Sequence, residues 1–121
     1  MKPILQVALD FVDLKRALKL AGEAVAGGCD WLEAGTPLIK SEGLICIREL
    51  RKKFPRIKIV ADMKTADVGR TEVEIAAKSG ANIVSVLGSS DDETIKESVA
   101  AGKNYGAEIM VDLLGVSDIL N

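Results

Sequence analysis

Histidine is absent from the 121-residue sequence, and its two cysteines, Cys29 and Cys46, lack metal-ligand spacing, which together exclude the common Cys/His zinc sites. Both thiols are expected to be buried. No apolar run approaches the length of a membrane-spanning helix. The short stretch after Met1-Lys2-Pro3 is too brief for a signal peptide and has no small-residue cleavage site. With neither a secretion signal nor a disulfide framework, the expected compartment is cytoplasmic. A charge excess is lacking too: 16 basic and 18 acidic residues leave a net charge of −2, and the basic ones form no stripe. This argues against nucleic-acid and membrane-surface partners.

What is present is an ordinary core-forming composition, 48% hydrophobic and 28% charged, with no linker or low-complexity segment to divide it. Five apolar runs rich in β-branched residues occupy residues 4–9, 30–34, 57–61, 82–87 and 107–111, and the first four are each followed by an amphipathic stretch of helical period. The runs start 25 to 27 residues apart, the mark of repeated βα units around a parallel sheet. Helix punctuation fits. Asp13 precedes Leu14, Ala17, Leu18, Ala21 and Val25 at helical spacing, and Gly27-Gly28 ends that run. Ser41 is expected to cap a helix through Arg51 that stops near Pro55. Thr71 to Lys78 is closed by Gly80, and Ser90 with Glu93 makes a capping box for a helix to about Asn104.

A nucleotide-binding open sheet would carry a glycine-rich loop after its first strand, but Asp10-Phe11-Val12-Asp13 stands there. A closed barrel is the better reading. Such barrels need eight units and roughly 250 residues. The expected fold class is therefore α/β, the N-terminal half of a (β/α)8 TIM barrel, four βα units plus a fifth strand, with residues 1–121 a single partial TIM-barrel domain. Half a barrel leaves strand edges and an interior face open, so half-barrel self-association or pairing with a complementary half is expected.

In βα-repeat enzymes the reactive groups gather at the C-terminal strand ends. Polar residues stand there on every expected strand but the fourth: Asp10, Glu33, the run Asp62-Met63-Lys64-Thr65-Ala66-Asp67, and Asp112. Asp62 and Lys64 are two apart and share a strand face, and a loop can fold Asp67 back toward them. A lysine held between carboxylates stays protonated and can deliver a proton or stabilise an oxyanion; Glu33 with Asp62 could hold a hard cation such as Mg2+. The set suits an enediolate. The competing reading is that the acids cap helices and the lysine sits in solvent.

The segments LQVALD, DWLEAGTPLIKSEG, IVADMKTADVG, VSVLG and VDLLGV together resemble the start of the 3-hexulose-6-phosphate synthase family, in the orotidine-monophosphate-decarboxylase-like superfamily. The resemblance covers the whole chain. It implies Glu33 and Asp62 as Mg2+ ligands, Lys64 as the proton-handling lysine, Asp67 as an acid reaching a neighbouring active site in a homodimer, and Asp10 and Asp112 as contacts to substrate or the metal shell. The implied reaction is a reversible aldol condensation of formaldehyde with D-ribulose 5-phosphate through a Mg2+-stabilised 1,2-enediolate, with no other cofactor. The nearest related family, 3-keto-L-gulonate-6-phosphate decarboxylase, shares the D-x-K-x-x-D pattern. Thr65 agrees with the synthases and Ala66 with the decarboxylases. The family's histidine and phosphate-gripping loops come from the second half of the barrel, so the isolated chain is expected to be impaired.

Several residues have plainer readings. Gly88-Ser89-Ser90 could cradle phosphate, but Asp91-Asp92-Glu93 favour a simple helix cap. Gly35-Thr36-Pro37 is either a ligand-shaping loop or only a turn. Trp31 should share a face with Glu33 and pack low in the barrel, and Arg51 to Lys53 read as a solvated helix end. Two hypotheses stand: a Mg-dependent aldehyde-lyase, or a catalytically inactive half-barrel fragment that self-assembles.

Overall fold

The computed structural model describes residues 1–120. Its elements run β1 (Gln6–Leu9), α1 (Leu14–Ala26), β2 (Trp31–Ala34), α2 (Thr36–Glu42), α3 (Ile45–Lys53), β3 (Lys58–Thr65), α4 (Gly69–Ser79), β4 (Ile83–Leu87), α5 (Asp92–Tyr105) and β5 (Glu108–Asp112). All neighbouring strands are parallel and lie in chain order, β1-β2-β3-β4-β5. A doubly wound sheet reverses its strand order at a switch point; this sheet does not, which is how barrel strands are laid down. Among the described residues, no helix is long and apolar enough to cross a membrane.

Register fixes two faces. Leu9, Ala34, Ala61 and Val84 are partners across four strands, and Leu32 pairs with Ile59. These residues are buried beneath the helices, against Ala17 and Ala21 of α1, Leu38 of α2, Cys46, Ile47 and Leu50 of α3, Val73 and Ala76 of α4 and Ala101 of α5. Alternation sends the intervening residues to the other, inner face. That face is more polar than the apolar runs imply. Gln6, Glu33, Lys58, Asp62, Ser85, Glu108 and Asp112 stand there beside Val60, Ile83 and Met110. Trp31 shares it with Glu33, half-buried, with the Lys58 ammonium 4.9 Å from its ring centroid and 2.9 Å from Glu108 Oε1.

The helices depart from the sequence reading in three places. The stretch expected as one helix from Ser41 is two, because Gly43 takes φ 72 and ψ −170, which no helix can continue, and Pro37 starts α2 earlier. Ser41 therefore caps nothing, and its hydroxyl donates to the Val12 carbonyl at 2.7 Å. At α5 the cap is Asp91, whose carboxylate accepts from Thr94 N at 2.8 Å, while Ser90 Oγ donates back to the Leu87 carbonyl. A charged acceptor is the stronger partner for a helix N-terminus, so the Ser90–Glu93 box does not form. Arg51 is no solvated helix end. Its guanidinium donates to the carbonyls of Gly80, Phe54, Pro55 and Ile57 and to Asn82 Oδ1, tying α3 to the turns that launch β3 and β4. Asp13 caps α1 as expected, accepting from Arg16 N at 2.7 Å. Cys29 and Cys46 are buried free thiols, that of Cys46 pushed up to about 11 by desolvation.

Candidate active site at the strand ends

β3 breaks register at its C-terminal end. Ala61 pairs with Val84 and Thr65 with Val86, so four residue steps on β3 run against two on β4, and residues 62–64 bulge outward opposite Ser85. Lys64 sits in the bulge with φ 46, in the left-handed region. This brings its ammonium 3.3 Å from Asp62 Oδ2 and into a closer, hydrogen-bonded ion pair with Asp112 Oδ2 at the end of β5.

Electrostatics follow from that placement. The Asp112 hydrogen bond, aided by Asp62, raises the Lys64 pKa against the opposing effect of burial. The same bond, with the Leu114 amide on the other oxygen at 2.9 Å, holds Asp112 below the usual carboxylate range. Lys64 is thus an ammonium at neutral pH, a hydrogen-bond donor and fixed positive charge on the rim.

Glu33 on β2 behaves in the opposite sense. Burial raises its pKa first and the Asp62 charge adds to it, while the Gln6 amide, donating to Oε1 at 2.7 Å, and Lys64 work against the rise. Asp10 contributes to the same repulsion, which puts it within electrostatic reach. Its carboxylate lies against Gly35, where a Cβ would collide with it and come within 2.7 Å of the Leu9 carbonyl oxygen. Gly35-Thr36-Pro37 therefore shapes the site: Gly35 admits Asp10, and Thr36 Oγ1 donates to the Asp62 carbonyl at 2.8 Å.

Of the expected residues, Asp10, Glu33, Asp62, Lys64 and Asp112 share one rim. Asp67 does not join them. It is exposed, its Oδ1 accepts from Val68 N at 2.7 Å, and the acid on the far side of Lys64 is Asp112. The fourth strand, read as contributing nothing, supplies Ser85: its Oγ donates to Asp62 Oδ1 at 2.8 Å and accepts from Lys64 N at 2.9 Å. A signal was available, since serine is the one polar residue in the apolar run IVSVL. The Gly88-Ser89-Ser90 turn leads into the helix cap, which is Asp91, and the Gly88 amide donates to the Asp112 carbonyl.

Among the described residues, no three His, Cys, Asp or Glu side chains are gathered as a metal cluster. Two mutually repelling carboxylates, Glu33 and Asp62, nonetheless suit a hard cation. Mg2+ keeps several waters and takes one or two carboxylates plus oxygens of its substrate, and a cation between the pair would offset both the burial and the repulsion that raise Glu33.

Residues 3–120 match the orotidine 5'-phosphate decarboxylase / HUMPS family. The chain is 47% identical over 114 residues to a 3-hexulose-6-phosphate synthase of Mycobacterium gastri, covering 94% of this chain and 55% of that protein. A solved 3-hexulose-6-phosphate synthase superposes with a TM-score of 0.92 at 47% identity, over 96% of this chain and 56% of that one. A solved 3-keto-L-gulonate-6-phosphate decarboxylase from Vibrio cholerae gives 0.88 at 32% identity, over 92% and 51%. The chain spans about half the length of the relatives it matches.

Proposed function

We propose, from the premise that this chain belongs to the orotidine 5'-phosphate decarboxylase / HUMPS family, that it carries the enediolate-handling side of a 3-hexulose-6-phosphate synthase site. The observation that carries this reading is the Lys64 ammonium held between Asp62 and Asp112 beside Glu33. The reaction joins C1 of D-ribulose 5-phosphate to formaldehyde, giving a 3-hexulose 6-phosphate. Transfer of the C1 proton to a rim carboxylate beside Lys64 leaves an enediolate whose negative charge is shared between C1 and the C2 oxygen, next to the C1 hydroxyl oxygen. Lys64 faces that charge as a donor, stabilises it, and supplies the proton for the alkoxide formed when the new carbon–carbon bond closes, regaining it from the carboxylate that took the C1 proton. Asp62 and Asp112 fix the ammonium, and Asp10 binds substrate hydroxyls. Glu33 and Asp62 would hold Mg2+, which when bound supplies positive charge for the two substrate oxygens.

Asp67, exposed and bonded only to its own loop's Val68 amide among the bonds described, is free to reach a second copy in a homodimer. Residues 1–121 form one partial barrel domain in this reading. The second reading within the enzyme class is decarboxylation of 3-keto-L-gulonate 6-phosphate, favoured by the likeness to the Vibrio cholerae decarboxylase but at lower identity. A third is an inactive half barrel that self-assembles through the edges of β1 and β5, which have no further strand beside them among the described residues.

The deciding assay follows formaldehyde consumption with ribulose 5-phosphate and Mg2+. Turnover abolished by Lys64→Ala in a folded variant is the expected result. Activity on 3-keto-L-gulonate 6-phosphate with none on formaldehyde plus ribulose 5-phosphate would overturn the synthase reading, and a stable assembly with no turnover on either would leave the fragment reading standing.

A further inference from the structure

The β3 bulge raises a problem that the fold must solve. Two extra residues on β3 carry the Lys64 amide out of the regular ladder, and the left-handed region is unfavourable for a non-glycine residue. An amide left without an acceptor in a part-buried position would add to that cost. One side chain answers both demands. Ser85 is only 2% exposed, stands on β4 between the two register-matched pairs, and has a single hydroxyl that accepts from Lys64 N and donates to Asp62 Oδ1. Because the oxygen's lone pair takes the amide, its one proton is committed to the Asp62 carboxylate.

We infer that Ser85 is a positioning residue of the candidate site, its hydroxyl locking the bulge so that the Lys64 ammonium and the Asp62 carboxylate are presented together. The inference rests on the synthase reading for its catalytic consequence, but its geometric content stands apart from that reading. Ser85 touches neither the reacting atoms nor the Lys64 ammonium. It acts through the backbone of one residue and the side chain of the other. Thr36 donates to the Asp62 carbonyl from β2's side of the strand, so Asp62 is held at two points.

The test uses the 121-residue chain and compares Ser85→Thr, which keeps the hydroxyl, with Ser85→Val, which has nearly the shape of threonine without it. Amide hydrogen exchange is read at Lys64 by NMR, and kcat and KM for ribulose 5-phosphate are read with formaldehyde and Mg2+. The expected results are a protected Lys64 amide in the parent and in Ser85→Thr, and exchange roughly tenfold faster in Ser85→Val, as loss of one hydrogen bond would give. Turnover should fall roughly ten- to a hundredfold in Ser85→Val with KM within about twofold, and return in Ser85→Thr, because misplacement of a catalytic group is felt in kcat. Equal behaviour of the two variants in both readouts would overturn the inference. So would an unprotected Lys64 amide in the parent chain, a result that needs no variant to fold. If the parent shows protection but no turnover, the synthase reading fails for this chain while the amide comparison still decides the role of Ser85.

Discussion

Gly35→Ala is a perturbation whose sign discriminates between two accounts of the β2–α2 loop. Gly35 has φ −66 and ψ 153, ordinary extended backbone that alanine adopts freely. If conformation alone mattered, alanine would stabilise the chain by about 0.4–1 kcal/mol by restricting the unfolded state. Packing reverses that sign. The new Cβ would fall within 2.7 Å of the Leu9 carbonyl oxygen, which already accepts from the Gly35 amide at 3.2 Å, and would overlap the Asp10 carboxylate. Asp10 can swing away, but Leu9 is the buried end of β1 and its carbonyl cannot. Overpacking costs roughly 1–3 kcal/mol, and contact with an immobile carbonyl belongs in the upper part of that range. About 2–3 kcal/mol less the gain of about 0.4–1 leaves a destabilisation of about 1–2.6 kcal/mol, or about 3–12 °C in Tm for a chain of this size. Thermal melts by circular dichroism measure it. Gly22→Ala is the control, because a Cβ there meets only the Lys53 ammonium at 3.7 Å within α1, and alanine in a helix should stabilise by up to about 1 kcal/mol. A Gly35→Ala melt equal to or above the parent's would refute the close approach of the Leu9 carbonyl to Gly35, and with it the tight packing of the β2–α2 loop on the end of β1.

Glu33→Gln should stabilise the metal-free chain at neutral pH and weaken Mg2+ binding, read by urea unfolding and calorimetric titration. The Glu33 carboxyl has a folded pKa raised above its ordinary 4.5, so the parent loses stability relative to the variant as pH climbs from about 4.5 upward, and the two converge below it; a gap that widens toward low pH would contradict the assigned cause. Arg51→Ala should cost roughly 2–4 kcal/mol in denaturant unfolding, since the carbonyls of Gly80, Phe54 and Ile57 lose their donor together. A loss below about 0.5 kcal/mol would show that these groups are equally well served by water.

The sequence made the repeat, the parallel sheet and five rim residues legible, because βα periodicity and strand-end acids are local patterns. What it hid was made by tertiary contact. Arg51 lies in a basic helix end that reads as solvated, and only the fold shows the turns before β3 and β4 closing over it. Nothing in the residues around Asp67 opposes a loop that folds inward, yet Val68 at φ 49 turns the chain straight into α4 and leaves the carboxylate outside. The strand was expected to run regularly past the apolar stretch, with Asp62 and Lys64 on one face, whereas residues 62–64 form a bulge before Thr65, which is 1% exposed and donates its hydroxyl to Glu72 on α4. Ser85 was visible as a polar break in an apolar run, but its meaning depended on a register shift in the neighbouring strand.

Two features of this rim are unfavourable for folding alone: a lysine held in the left-handed region and a glutamate raised by burial beside a neighbouring carboxylate. Strain and charge repulsion of this kind persist only where surrounding structure over-determines them. Here the compensations are specific. Ser85 takes the displaced amide, Thr36 takes the Asp62 carbonyl, Gln6 takes one Glu33 oxygen and Gly35 leaves room for Asp10. The strand ends, and the loop after β2, are thereby committed to the orientation of five charged groups on one rim. A scaffold serving only to bury Leu32, Ile59 and Val84 beneath its helices has no use for this, because that core lies on the other face of the sheet. The costs converge on the one place where an ammonium beside a cation-hungry pair of carboxylates has chemistry to perform, which is the physical ground for reading the rim as an active site.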